Sequence, residues 1–133
     1  MPEADVEIHG GETAAAVTSW SVLPRRLARL PHLVLTDDSA IHEANTLTSR
    51  LLGLALLPSL PSGHALLITD CRSVHTFGMR FPIDVAFLDD AGRPIRVERA
   101  VKPRRVLVCR KAFAVIESPA GEIGRYVHVA ERS

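Results

Sequence analysis

Three side chains that could do chemistry share one stretch of the sequence: Cys71, His75 and Asp84 in CRSVHTFGMRFPID. A thiol, an imidazole and a carboxylate can act as nucleophile, base and orienting group, and the first two can also ligate a metal ion. Cys71 and His75 are four residues apart, and four steps along an extended strand span about 13 Å. A hydrolase or transferase that uses these side chains therefore requires a turn between Cys71 and His75.

The alternative interpretation gives the same side chains structural roles. Cys71 is then a small buried side chain, His75 bonds to the backbone, and Asp84 satisfies nearby amides. The sequence has no C-x-x-C step or other zinc-ligand spacing, no nucleophile elbow and no glycine-rich phosphate loop. We therefore lean towards a protein that is not an enzyme, and we predict no metal and no cofactor.

Asp84 is the most informative residue of the stretch. It lies in the apolar run IDVAFL (83–88), where both faces of an alternating strand are largely apolar, so burial of the carboxylate is expected. A buried carboxylate needs a partner, because an unpaired buried charge is costly. Its candidate partners are Arg72, His75, Arg80 and the amides of the preceding turn. A bracing role is favoured over contact with a ligand, and both stay open.

A ligand site is predicted where this stretch meets a helix end near Arg50. Arg50 and Arg80 offer charge-assisted hydrogen bonds. His75 offers one that responds to pH. Phe77 and Met79 offer either an adaptable apolar rim or simply a core stripe. The predicted ligand-binding residues are Arg50, His75, Phe77, Met79, Arg80 and Asp84.

A basic segment follows, with eight Lys or Arg residues and the single acid Glu98 between residues 93 and 111. The plain interpretation is a solvated strand surface that carries protective charges at a sheet edge. A surface for RNA or an anionic membrane is the alternative, but RNA-binding platforms interleave aromatic side chains, and this segment has none. The formal net charge of +1 adds no general attraction to nucleic acid, which we regard as an improbable partner.

The elements that position these side chains are mostly short strands. HLVLT, ALLIT, IDVAFL, PIRVERAV, VLVC, FAVIE and YVHV are predicted as strands, each bounded by turn or charged residues. Asp-Asp-Ala-Gly (89–92) predicts a hairpin connection. Apolar residues at steps of three and four from Ile41 to Leu52 predict one principal helix, with His42 on its exposed face and Gly53 at its end. VLPRRLARLP (22–31), which lies between prolines, predicts a short strand or turn.

The two ends of the sequence and the cysteines give the remaining predictions, which concern domain bounds, cellular location and the state of the thiols. Residues 1–19 predict a disordered leader, and residues 20–133 one β-rich domain. The leader is acidic where a secretory signal is basic, and the longest apolar runs are far shorter than the roughly 20 residues of a membrane span. A cytoplasmic protein with Cys71 and Cys109 as free thiols is expected.

The sequence resembles a known family of small prokaryotic proteins. The matching pieces are Arg50 with Gly53-Leu54, Gly63 before ALLIT, VHTFGMRFPIDVAFLDDAG (74–92), Pro103 and VIESPAG (115–121). They resemble the domain of unknown function 192 family. The resemblance implies a compact, mainly β fold with one helix, and it implies no activity, because none is established for the family.

The sequence thus predicts a mainly β (α+β) domain, an antiparallel barrel-like or sandwich fold with one principal helix. The predicted function is a binding or accessory module for a small polar or anionic ligand or an extended peptide. Two alternatives stay open, the Cys71, His75 and Asp84 enzyme and the basic 93–111 surface. Ligand identity and oligomeric state do not follow from the sequence.

Overall fold

The structure, a computed structural model, describes residues 20–46, 49–50, 53–55 and 57–128. Strands are the commonest regular element in this part of the chain, and residues 49 and 50 are helical. The elements with defined bounds are α1 (Arg25–Ala28), β1 (His32–Val34), β2 (Ala40–Ala44), β3 (His64–Thr69), β4 (Ser73–His75), β5 (Ile83–Leu88), β6 (Pro94–Val101), β7 (Val106–Val108), β8 (Ala114–Pro119) and a 3₁₀ helix (Ile123–Arg125).

Six strands form one sheet in the order β1-β2-β3-β8-β5-β6, and β4 pairs with β7 in a second sheet of two strands. β8 lies between β3 and β5 and pairs antiparallel with both. The large sheet ends at β1 and β6 and does not close on itself. The mainly β prediction is confirmed, whereas the barrel-like arrangement is not the one found.

One strand pair departs from the antiparallel expectation. β2 and β3 run parallel, with Ala40 opposite His64 and Ala44 opposite Ile68. Parallel neighbours need a crossover of a dozen or more residues, usually with a helix. The chain between residues 44 and 64 supplies this crossover and includes the helical residues 49 and 50.

Apolar clusters pack against both faces of the large sheet. Successive side chains of a strand point to opposite faces, so Val85 and Phe87 of β5 join the larger cluster, while Ala86 and Leu88 join the smaller one. Every residue of β5 is buried. Because full burial of one such apolar side chain contributes roughly 1.5–3 kcal/mol, β5 is a centre of the fold.

The helix predicted from residue 41 onwards is wrong in its first part, because residues 40–44 form β2. Burial alternates along β2, and the side chain of His42, predicted to be exposed, is fully buried. The alternation is hidden in the sequence because a polar residue type, histidine, occupies a core position. Residues 47, 48, 51 and 52 of the predicted helix lie outside the described residues, as do residues 1–19 of the predicted leader.

The segment 22–31 is also different from its prediction, because it contains α1. Leu23 and Leu27 are buried, and Leu30 packs against the same cluster, which is the spacing of one helix face. Pro24 precedes the first helical residue, with φ −56 and ψ 139. Proline is tolerated at the start of a helix, where its missing N–H has no intrahelical partner.

The predicted strands are otherwise confirmed, with one exception. The runs IDVAFL and PIRVERAV coincide with β5 and β6, and the turn between them has Gly92 at φ +82. A positive φ of this kind favours glycine, as the hairpin prediction required. YVHV is not a strand, because Tyr126 and Val127 hydrogen bond back to Ile123 as the 3₁₀ helix ends. Val129 lies outside the described residues.

Candidate ligand pocket

A small pocket of about 40 Å³ lies on the face of the large sheet that carries the larger apolar cluster. Its walls come from the helical residue 50, the turn at residues 53–54, strands β3 and β8, and the segment from residue 71 to β4. It is lined by Arg50, Gly53, Leu54, Ile68, Cys71, Ser73, Val74, His75 and Glu117. Three residues singled out from the sequence, Arg50, Cys71 and His75, therefore meet at one place.

Glu117 of β8 is the unexpected member of the pocket wall. Its side chain is only 3% exposed, and no described residue bonds its Oε1 atom. Burial raises the pKa of this carboxyl group from 4.5 to about 7. Glu117 lies opposite Leu66 of β3 and Val85 of β5, so the flanking strands place apolar side chains beside it. A protonated carboxyl group in this position can donate one hydrogen bond and accept another.

The signal for Glu117 was present in the sequence. An acid within the apolar run FAVIE is the same pattern that drew attention to Asp84 in IDVAFL. The burial of Glu117 depends on the placement of β8 between two other strands. That placement cannot be derived from local patterns.

Arg50 and Cys71 complete the polar wall of the pocket. Arg50 donates a hydrogen bond of 3.1 Å from a terminal guanidinium nitrogen to the carbonyl of Asp70, while its buried Nε atom has no partner among the described residues. Cys71 donates from Sγ to the carbonyl of Ser73 at 3.1 Å. Burial raises the pKa of the Cys71 thiol, and the charge of Glu117 acts in the same direction. The raised pKa keeps the sulfur protonated as a thiol. A reactive cysteine needs a lowered pKa instead.

The turn at residues 53–55 leaves room for the side chain of Glu117. Gly53 has φ +52, and a Cβ atom built there would lie 3.4 Å from Oε1 of Glu117. The half-buried Arg26 of α1 holds this turn by donating to the carbonyls of Gly53 and Ala55 at 2.6 and 2.9 Å. A side chain at residue 53 would add backbone strain and crowd the carboxyl group.

The other predicted ligand residues lie away from this pocket wall. Phe77 is 52% exposed, and its ring centroid is 6.2 Å from that of His75. Met79 is buried in the larger cluster, so it belongs to the core rather than to a rim. Arg80 is exposed. Of these, only Phe77 extends an apolar surface beside the exposed His75.

Asp84 braces the backbone on the opposite face of the sheet. It is fully buried and accepts hydrogen bonds from the amides of Ala100 at 2.8 Å, Gly121 at 2.9 Å and Ile123 at 3.3 Å. Ile123 belongs to the smaller cluster, whereas Ile68 of the pocket belongs to the larger one. The structure therefore does not bring Asp84 together with Cys71 and His75. Its observed partners are amides, not the basic side chains considered from the sequence.

Thr76 is a second buried anchor that its local sequence does not mark. Its Oγ1 atom donates to the carbonyl of Lys102 at 2.7 Å and accepts from the amide of Arg105 at 2.8 Å. Its backbone carbonyl also accepts from the amides of Met79 and Arg104 at 3.2 Å. These bonds tie the loop after β4 to the loop after β6 and fix the position of His75 next in sequence.

The basic segment is partly used within the fold. Arg96 bonds Glu98 at 2.8 Å, donates to the carbonyl of Val108 and lies over the ring of Phe87 at 5.5 Å. Arg93 pairs with Asp89 at 3.3 Å. Both cysteines are free thiols, as predicted. In the described part of the chain, no group of three or more His, Cys, Asp or Glu side chains has an arrangement that could hold a metal ion.

A buried histidine pair lies elsewhere in the fold, where β2 and β3 begin. Nε2 of His42 and Nδ1 of His64 are 2.9 Å apart, and Trp20 packs edge-on against both rings. Burial and the neighbouring imidazoles of His64 and His32 lower the pKa of His42 to about 4. The pair is therefore neutral at ordinary pH and contributes to packing.

These features define the class of the protein as a small, mainly β domain with a partly buried polar pocket on one face of its sheet. The profile of the domain of unknown function 192 family (DUF192), described as "Uncharacterized ACR", matches residues 35–129, more than half of the chain. The chain belongs to this family, as its motifs indicated. Among curated proteins, none matches the sequence.

Two solved structures resemble this fold. One is a protein of unknown function from Novosphingobium aromaticivorans, with 17% identity and a TM-score of 0.57 over 71% of this chain and 74% of that one. The other, from Sinorhizobium meliloti, is described as a candidate transcription regulator, with 19% identity and a TM-score of 0.58 over 71% of this chain and 81% of that one. At these identities the likeness concerns the fold.

None of the helices within the described ranges has the length and apolar character that a membrane span requires.

Proposed function

We propose that this protein is a small binding module, and that the pocket at Arg50 and Glu117 takes the polar head of a small ligand. The observation that carries the proposal is the buried carboxyl group of Glu117, which lines the pocket and whose Oε1 atom has no partner among the described residues. An unsatisfied buried polar group costs roughly 1–3 kcal/mol, and native proteins keep few of them. A ligand that bonds Oε1 recovers this cost.

Arg50 supports the same proposal from the other side of the pocket. Its buried Nε atom is a donor with no described partner, and its terminal nitrogen already anchors the guanidinium on the carbonyl of Asp70. A fixed guanidinium loses little freedom when it bonds a ligand, so its orientation adds specificity. Pockets of this type are mainly apolar with a few convergent polar groups, and Leu54, Ile68 and Val74 supply the apolar part here.

The enzyme alternative has less support from the same geometry. A nucleophilic cysteine needs a lowered pKa and a nearby base, whereas burial raises the pKa of Cys71. The orienting carboxylate of that hypothesis, Asp84, bonds three backbone amides instead. The small volume of the pocket also favours a ligand head group over an extended peptide.

Amide chemical shifts of the ¹⁵N-labelled protein, recorded against a panel of small polar metabolites, test the proposal. We expect the largest shifts at the amides of Gly53, Cys71, Ser73, His75 and Glu117. Arg50→Gln is expected to weaken binding about 10-fold or more, because it removes a charge-assisted hydrogen bond worth roughly 1.5–3 kcal/mol. Arg72→Gln is the matched control, since Arg72 is exposed and does not line this pocket.

Shifts that fall consistently at another place would reject the proposal. One such place is the second hollow, lined by Asp70, Arg72, Ala112 and Phe113. Another is the basic segment 93–111, where binding that weakens steeply with salt would favour the nucleic-acid or membrane-surface alternative. Equal losses in Arg50→Gln and Arg72→Gln would also count against the pocket, because they would reflect general charge rather than a site.

A further inference from the structure

We propose that the ligand head is a carboxylate, and that it binds together with a proton held on Glu117. This inference rests on the proposed function and specifies the chemistry of the same pocket. In this arrangement one carboxylate oxygen accepts a hydrogen bond from Nε of Arg50, and the other accepts one from the protonated carboxyl group of Glu117. Arg50 and Glu117 line one pocket, and the Nε atom of Arg50 and the Oε1 atom of Glu117 are buried without a partner among the described residues.

The size of the pocket fits such a head group. Its volume is about 40 Å³, and each water-sized position needs about 10–15 Å³ on this measure. The pocket therefore has room for about three small atoms in contact with the wall, which is the number of heavy atoms in a carboxylate. The remainder of the ligand would extend past the exposed His75 towards Phe77, whose side chain is half exposed.

The charges around the pocket favour an anion over a cation. Arg50 lines the pocket, and the exposed His75 stands at its rim. A ligand ammonium group would have to sit next to the guanidinium of Arg50, where like charges repel. Among the described residues that line the pocket, Glu117 is the single acid.

The protonation of Glu117 decides whether the anion can enter. Two ionised carboxylates at hydrogen-bond distance repel strongly, so one of them holds a proton. Burial raises the pKa of Glu117 to about 7, which makes this proton available near neutral pH. The proton comes from solution when Glu117 is ionised before binding, and no bond other than its O–H bond forms or breaks.

The groups around Glu117 come from the flanking strands and from the other side of the pocket. The flanking strands contribute the apolar Leu66 and Val85. Arg50, Cys71 and His75 face it across the pocket. Further along the same side of the sheet, Glu98 of β6 lies opposite Val85 and is paired with Arg96. Because histidine is the side-chain type whose charge most readily changes near neutral pH, the experiment must separate His75 from Glu117.

The test is the affinity of three small probes of similar length, propionate, propionamide and propylamine, measured by amide shifts at pH 6 and pH 8 and constant ionic strength. We expect propionate to shift the pocket amides and to bind about 10-fold more weakly at pH 8, because one proton leaves a group with a pKa of about 7. Acetyl-glycyl-glycine, compared with propionate, tells a peptide C-terminus from a free small acid, and tighter binding of either one supports the inference.

Three variants identify the titrating group. Glu117→Gln keeps a hydrogen-bond donor but cannot ionise, so propionate is expected to bind it equally at both pH values. The 10-fold pH dependence is expected to persist in His75→Gln and in the control Glu98→Gln, which changes an acid outside the pocket. If the pH dependence disappears in His75→Gln and persists in Glu117→Gln, the inference is wrong.

The probes also separate this inference from the proposed function. Propionamide that binds as well as propionate at both pH values, or propylamine that binds more tightly at pH 8, would overturn the carboxylate inference and leave the binding pocket in place. Pocket shifts caused by other metabolites but not by propionate would have the same meaning. Absence of pocket shifts with every compound tested would overturn both.

Discussion

Replacement of Asp84 tests how the fold holds its own backbone. Asp84 accepts three hydrogen bonds from amides that lie 16, 37 and 39 residues further along the chain. Two of them, from Gly121 and Ile123, share Oδ2, and the amide of Ala100 bonds Oδ1. The residue is fully buried. It therefore joins β5, the end of β6 and the 3₁₀ helix through one side chain.

The expected cost differs between two substitutions. Asp84→Asn keeps one oxygen, which can serve Gly121 and Ile123, but it turns an N–H₂ group towards the amide of Ala100, where two donors face each other. With one buried donor unsatisfied and the charge lost, we expect a cost of about 2–3 kcal/mol. Asp84→Ala leaves all three amides unpaired, and we expect about 4–5 kcal/mol. The second value is a large part of the 5–15 kcal/mol that typically stabilises a domain.

Urea unfolding at pH 7, with the free energy of unfolding compared at equal m-values, measures both costs. Asp90→Asn is the matched control, because Asp90 lies exposed in the turn after β5, and we expect a change within about 0.5 kcal/mol. Hydrogen exchange at the amides of Ala100, Gly121 and Ile123 should accelerate in Asp84→Asn before the rest of the sheet is affected. If Asp84→Asn were as stable as Asp90→Asn, the bracing role would be refuted.

Three further predictions concern other buried polar groups. Because the pKa of Glu117 is raised from 4.5 to about 7, its contribution to stability is present below pH 4.5 and is lost as the pH rises through about 7. Glu117→Gln is therefore expected to be up to about 3 kcal/mol more stable than the wild type at pH 8 but not at pH 4.5, and a pH-independent difference in urea unfolding would contradict this. His42 has the opposite sign: its pKa is lowered from 6.5 to about 4, so its contribution is present above pH 6.5 and is lost as the pH falls through about 4. In the Glu117→Gln background, the free energy of unfolding followed by the fluorescence of Trp20 should fall by up to about 3 kcal/mol between pH 7 and pH 4, and a flat profile would argue against a neutral buried pair. Thr76→Val keeps the side-chain shape but leaves two backbone groups of the loop after β6 unbonded, so we expect a loss of about 2–3 kcal/mol. The exposed Thr36→Val should change stability by no more than about 0.5 kcal/mol, and an equally small effect in Thr76→Val would contradict its role as an anchor.

The strands were predictable because their signals are local. β5 and β6 are apolar or alternating runs with turn residues at both ends, and the structure has them at the same bounds, 83–88 and 94–101. The hairpin between them needs only the four residues 89–92 and a glycine with positive φ. Period-two patterns and turns of this kind are set by neighbouring residues, so they can be read from one sequence.

β2 was not predictable in the same way. In AIHEA, Ile41 and Ala44 are three residues apart and fit one face of a helix, while the alternation of Ala40, His42 and Ala44 fits a strand only if His42 is buried. What makes that burial acceptable is the contact with His64, which is 22 residues away in sequence. Tertiary pairing therefore decided between two local patterns that were both present.

The candidate site was predictable in part. Arg50, Cys71 and His75 stood out in the sequence, and these residues meet at the pocket. Glu117 was missed because its burial arises from the neighbours that β8 acquires in the sheet, and these strands are far apart in the chain. The role of Arg50 and His75 in ligand binding stays a prediction. The separation of Asp84 from the pocket has the same origin, because it depends on which face of β5 each cluster covers.

The central position of β8 has a consequence for how the protein is made on the ribosome. Strands β1 to β3 can associate with one another, and β5 can pair with β6, as soon as their residues emerge. These two halves share no strand pair except through β8, which ends at residue 119. Until then, β3 and β5 each have an unpaired edge, and their side chains, which are mostly buried in the complete fold, are exposed. Such a surface aggregates or recruits chaperones. Closure of the complete sheet is therefore expected to be a late step of folding, because the pairs that β8 forms with β3 and β5 join strands that are distant in sequence.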